Sequence, residues 1–102
     1  MIDIYTEKTT GIIKPSGAVT AENIGECRTA LLKLIERRCP EVRFDLSALT
    51  DIDARFLGLL VMFAATVQKR FPSMRISLAG GNEDLINLFR MTRLDRTCRI
   101  LP

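Results

Sequence analysis

VRFDLSALTDIDARFLGLLVMF, residues Val42 to Phe63, reads as three elements in succession. Val42-Arg43-Phe44-Asp45-Leu46 has the length and residue types of a buried strand. Ser47-Ala48-Leu49-Thr50-Asp51 then reads as a loop, because hydroxyl and carboxylate side chains satisfy backbone groups outside regular structure. Asp53 precedes a long apolar helix, where its carboxylate can accept hydrogen bonds from the free N–H groups of the first turn. The spacing predicts a strand, a loop and a helix, with an acid at the helix mouth.

That helix is predicted from about Ala54 to Arg70, stopping before Phe71-Pro72. Phe56, Leu60, Phe63 and Val67 form its inner stripe, flanked by Leu59 and Ala64. The opposite face, Gly58, Val61, Met62 and Ala65, carries no charge. A helix apolar nearly all round is either buried on both sides or presents a face to a partner. In a domain of 102 residues, burying both faces is difficult, so a partner is expected there, with a second copy as one option.

On the N-terminal side, Ile2, Ile4 and Tyr5 suggest a short strand and Gly11-Ile12-Ile13-Lys14 a second. Pro15-Ser16-Gly17 breaks that run, and Gly17 can adopt φ > 0. Thr20 is expected to cap a helix with Glu22 in its first turn. Ile24, Cys27, Leu31, Leu34 and Ile35 fall on one helical face, and the helix should end near Arg38 because Pro40 cannot continue it. On the C-terminal side, Met74-Arg75-Ile76-Ser77-Leu78 alternates as a half-buried strand would. Gly80-Gly81 turns the chain, and Asn82 caps a helix that carries Glu83 and Asp84 at its start and Leu85, Leu88 and Phe89 as its stripe. Thr97 to Leu101 reads as a last short strand or a packed tail. The order β-β-α-β-α-β-α-(β) predicts one α/β domain over residues 1–102. Its sheet should be mixed, mostly parallel and four- or five-stranded, flanked by three or more helices.

Composition agrees with a packed domain. Hydrophobic residues make up 47% and charged residues 26%, which excludes disorder on compositional grounds. No run of about eighteen apolar residues is free of charge, so no membrane insertion is expected. Met1-Ile2-Asp3-Ile4-Tyr5 lacks the pattern of a signal peptide, so a cytoplasmic location is expected. Three cysteines, Cys27, Cys39 and Cys98, with no C-x-x-C spacing, read as reduced thiols. The net charge of +3 and the arginines at 90, 93, 96 and 99 raise nucleic acid as a partner. The lack of Trp, the single Tyr and the missing nucleic-acid motifs argue against it, and helix C-termini favour arginine in any case.

The residues offer no reaction chemistry. There is no histidine, which removes the commonest general base and metal ligand. No nucleophile elbow, Walker A loop or G-x-G-x-x-G loop is present. Asp45, Asp51 and Asp53 cluster in sequence, but acids between a strand and a helix serve more often as caps than as cation ligands. A non-enzyme without cofactor or metal is expected.

Asp45-Leu46-Ser47, Thr50-Asp51-Ile52-Asp53 and Leu57-Gly58-Leu59-Leu60 together resemble the signature of the STAS domain. That family includes bacterial anti-sigma-factor antagonists and the cytoplasmic tails of sulfate transporters. The resemblance covers nearly the whole chain. Gly17 fits the family's glycine after the second strand, and Leu94-Asp95 with Ile100 fits its C-terminal pattern. In switchable members a serine or threonine follows the acid at the helix mouth and is phosphorylated by a partner kinase. Here Ala54 follows Asp53, and Arg55 and Phe56 stand where the family has a small residue and Gly. A phosphate would add about two negative charges at a helix N-terminus, enough to break a fitted interface. Ala54 has no hydroxyl to receive one, and Ser47 and Thr50 read as turn-stabilising side chains.

The resemblance therefore implies a regulatory, protein-binding module. It would dock a partner, such as an anti-sigma-factor-like kinase, through Asp53, Ala54, Arg55, Gly58, Val61, Met62 and Ala65. An alternative is a STAS segment or subunit of a larger cell-envelope assembly. The Asp-Ala-Arg-Phe-Leu-Gly run looks like STAS segments attached to glycosyltransferases, and STAS subunits also serve transporters and lipid-transport complexes. A third reading is small-ligand or nucleotide binding, for which no phosphate-cradling loop is present.

Overall fold

The computed structural model describes residues 2–19, 23–52 and 54–101. Strands β1 (Ile2–Glu7) and β2 (Thr10–Pro15) form an antiparallel pair, joined by a turn in which Lys8 takes φ 55°. Strand β3 (Gly17–Val19) and helix α1 (Ile24–Glu36) follow, then β4 (Glu41–Asp45), β5 (Leu49–Ile52) and helix α2 (Ala54–Arg70). Strand β6 (Arg75–Ala79), helices α3 (Glu83–Met91) and α4 (Leu94–Thr97), and strand β7 (Arg99–Leu101) complete the domain. The main sheet has the order β1-β2-β4-β6-β7. Every neighbour pair except β1·β2 is parallel and connected through helices, as parallel strands require.

β4 occupies the centre because its alternation suits it. Val42 and Phe44 are fully buried on one face, and Phe44 packs edge-on against Phe56 and Phe63 of α2, at centroid distances of 6.5 and 6.0 Å. Gly11, the register partner of Val42, lets Leu34 of α1 approach closely, so α1 and α2 cover the same face. On the other face lie Glu41 and Arg43, with Ser77 beside them. The Ser77 hydroxyl donates to Glu41 Oε2 at 2.7 Å, and Arg43 Nη2 donates to the same oxygen at 2.9 Å. These bonds, and the Coulomb attraction of Arg43 and Arg99, hold the Glu41 carboxyl below its usual range, with the Ser77 bond the largest cause.

The helices follow their sequence patterns closely. α2 spans the predicted residues, and Phe56, Leu59, Leu60, Phe63, Ala64 and Val67 are buried. Each of the Phe, Leu and Val side chains among them contributes roughly 1.5–3 kcal/mol relative to leaving it in water. The Asn82 carboxamide oxygen accepts from the Leu85 N–H at 2.9 Å, with Glu83 and Asp84 in the first turn of α3. On α1 the N-cap position is Asn23, whose Nδ2 donates to the Ala18 carbonyl at 2.9 Å. The expected cap, Thr20, and the first-turn acid, Glu22, lie outside the described residues.

Three features differ from the sequence reading. Leu49 to Ile52 is not loop but strand β5, which pairs in parallel with β3 in a small second sheet. Ser77 is buried, so β6 is closed on both faces near its middle and not half-buried. A single-turn helix, α4, precedes β7, and its entry residue Arg93 takes φ 62°. The arginines spaced by three fall on separate elements: Arg90 lies in the last turn of α3, Arg93 precedes α4, Arg96 lies in α4 and Arg99 in β7.

Candidate functional site

The approach to α2 is built by local polar bonds. The Asp45 carboxylate accepts from the Ser47 hydroxyl at 2.6 Å and from the Ser47 N–H at 3.0 Å, which turns the chain out of β4. The two bonds, with help from Lys14 and Arg43, hold the Asp45 carboxyl below its usual range. Ser47 therefore has the turn-stabilising role expected of it. Thr50 is exposed on strand β5 and not in a loop.

From that turn, β5 runs beside β3 to the start of the helix. Gly17 donates its N–H to the Ala48 carbonyl at 3.0 Å, in a backbone conformation with φ 75° that favours glycine. Gly80, also at φ 75°, comes against Ser47 so closely that a Cβ would lie 3.0 Å from the Ser47 nitrogen. The β4 end is thus clamped between β3 and the turn after β6.

The outer face of α2 rises from this base. Ala54, Arg55, Gly58, Val61, Met62 and Ala65 are all exposed. Val61 is 40% and Met62 64% exposed, so the chain's own described residues do not cover this face. A Cβ added at Gly58 would meet nothing within 4 Å. The stripe is uncharged between Arg55 at one end and Lys69 at the other, and no acid lies in the helix's first turn. Arg55 engages another group of the molecule. Asp53, the acid expected at the helix mouth, lies outside the described residues, and Asp51 is described only in its backbone.

Cys27, Cys39 and Cys98 are buried and unbridged. Burial, with the neighbouring Glu26, pushes the Cys27 thiol up to about 11, which makes it a poor nucleophile. Among the described residues no three His, Cys, Asp or Glu side chains come together as metal ligands. No helix there is long and apolar enough to cross a membrane.

The fold and this surface can be set beside known proteins. A family model described as "Mlab, STAS domain" matches residues 4–102. The chain belongs to the STAS family. This STAS domain is also similar in fold to solved structures. An anti-sigma factor antagonist from Mycobacterium paratuberculosis superposes with a TM-score of 0.84 at 19% identity, over 100% of this chain and 85% of that one. A protein from Thermotoga maritima has the same score and identity, over 99% and 86%. The unphosphorylated form of the anti-sigma factor antagonist SpoIIAA gives 0.74 at 13%, over 94% and 96%. SpoIIAA from Bacillus has also been solved in a phosphorylated form, with a TM-score of 0.77 at 13% identity over 98% and 90%. No curated protein matches the chain.

Proposed function

We propose that this STAS domain is a non-enzymatic interaction module that docks a regulatory protein through the start and outer face of α2. The exposure of Val61 and Met62 on an uncharged helix face carries the reading. Apolar surface left in water loses roughly 25 cal/mol for each Å² that a partner would bury. Aromatic and Met-rich contacts with a polar rim are typical of such interfaces, and Arg55 stands where the rim would be. The anti-sigma factor antagonists of the same fold support a partner of regulatory type.

A second reading keeps the surface and changes the partner to a subunit or domain of a larger assembly. Two observations favour it. Ala54 stands at the position of the family's phosphate acceptor, and the matching family model is described by Mlab and not as an antagonist. A photo-crosslinking residue placed at Met62 distinguishes the readings in cells. Capture of a serine kinase of the anti-sigma type supports the first reading, and capture of an envelope or transport protein the second. Equal capture from Met62 and from Leu32, an exposed position on α1, would refute a docking role for α2.

A further inference from the structure

A different surface lies open at the edge of the main sheet. β1 is an edge strand of six residues, paired without interruption to β2 on one side only. Natural sheets blunt such edges with charged side chains, proline, bulges or extreme shortness; the opposite edge, β7, has only three residues, while β1 carries two carboxylates, Asp3 and Glu7. β1 has no proline or bulge, and it exposes two large apolar side chains, Ile4 at 36% and Tyr5 at 39%. Beside it lies a groove of about 570 Å³ between β1 and α1, lined by Ile2, Ile4, Gly25, Thr29, Ala30 and the ends Glu26 and Lys33.

We propose that this edge and groove bind a second copy of the chain about a two-fold axis at Ile4. Antiparallel pairing of β1 with its copy puts Ile4 opposite Ile4 and Ile2 opposite Thr6 on the groove face. On the other face Asp3 falls opposite Tyr5, where the phenol can donate to the carboxylate. A register shifted to centre on Tyr5 would set Asp3 against Glu7, so like-charge repulsion selects the first. The same axis treats the helices consistently. α1 packs over β1 and β2, so two copies of it would lie roughly 10 Å apart, near the usual helix-packing distance. Gly25 and Thr29, both exposed, are small enough to allow that approach. Glu26 and Lys33 lie symmetrically about the midpoint between Thr29 and Ala30, so each Glu26 meets the Lys33 of the other copy. The surface is complementary to itself in backbone, shape and charge, which singles out a second copy as the occupant.

Sedimentation across a concentration series, from micromolar to near-millimolar, tests this with the whole chain. The wild type should form a dimer that Ile4→Lys abolishes, because it sets two ammonium groups opposite each other. Glu26→Lys or Lys33→Glu alone should weaken it roughly tenfold, since the symmetry reverses two contacts at once, and the double reversal should restore it. These α1 positions are exposed, so their result stands even if Ile4→Lys disturbs folding. Met62→Lys should leave the dimer intact, which separates it from docking at α2. A monomer throughout the series, a dimer indifferent to the charge reversals, or one lost only with Met62→Lys would overturn the proposal.

Discussion

Phe63 joins the two layers of the molecule, since its ring meets Phe44 at the centre of the sheet while its backbone belongs to α2. Phe63→Ala should destabilise the domain by about 3–5 kcal/mol, the usual range for emptying an aromatic site. Urea denaturation measures it, and an unchanged midpoint would contradict the packing described. Ser77 makes a subtler contribution. Its hydroxyl is the largest cause of the lowered Glu41 pKa, and a carboxyl lowered in the folded state stabilises at pH above the usual carboxylate range. That contribution is lost as pH falls through the range toward the folded value. Ser77→Ala should therefore be less stable than wild type at neutral pH, and the gap should close in acid. Denaturation at a series of pH values reads both halves, and a gap that widened in acid would reverse the sign. The burial of Ser77 was not legible in the alternation of Met74 to Leu78, because a serine in a strand signals solvent until its partner, Glu41, is known from a distant position.

The elements were legible in proportion to their length. α2 follows from a periodic pattern of seventeen residues, and β4 from a short apolar run ahead of a turn. β3 and β5, at three and four residues, are too short for periodicity, and each exists because it pairs with the other. The loop read from Ser47 to Asp51 therefore rested only on its local signal, the turn-forming side chains Ser47, Thr50 and Asp51. The candidate surface was half legible: the missing charges on Gly58, Val61, Met62 and Ala65 are in the sequence, while their exposure needed the packing of the inner stripe. Ala54 opens α2 without a hydroxyl, which bears on regulation. Incubation with an anti-sigma-type serine kinase and ATP should leave the chain unmodified, because Ser47 is engaged by Asp45 and Ala54 offers no acceptor. Stoichiometric phosphate on Ser47 or Thr50 by mass spectrometry would contradict this.

At the scale of the whole molecule, the helices close one face of the sheet and leave α2 with one side in and one side out. The buried stripe anchors the helix, the contacts at Gly17 and Gly80 hold the turn that precedes β5, and the outer stripe stays exposed. The β1 edge lies on a different strand-helix pair, so the two surfaces can be altered one at a time. On the proposed reading, the outer face of α2 serves binding and not folding. The measurement that addresses it most directly is the affinity of wild type and Met62→Lys for the partner captured at that position, alongside their thermal unfolding. Burying a new ammonium group without a counter-charge should weaken binding by about a hundredfold or more, while the melting temperature stays within a degree or two. Unchanged affinity, or a variant that no longer folds, would contradict the account.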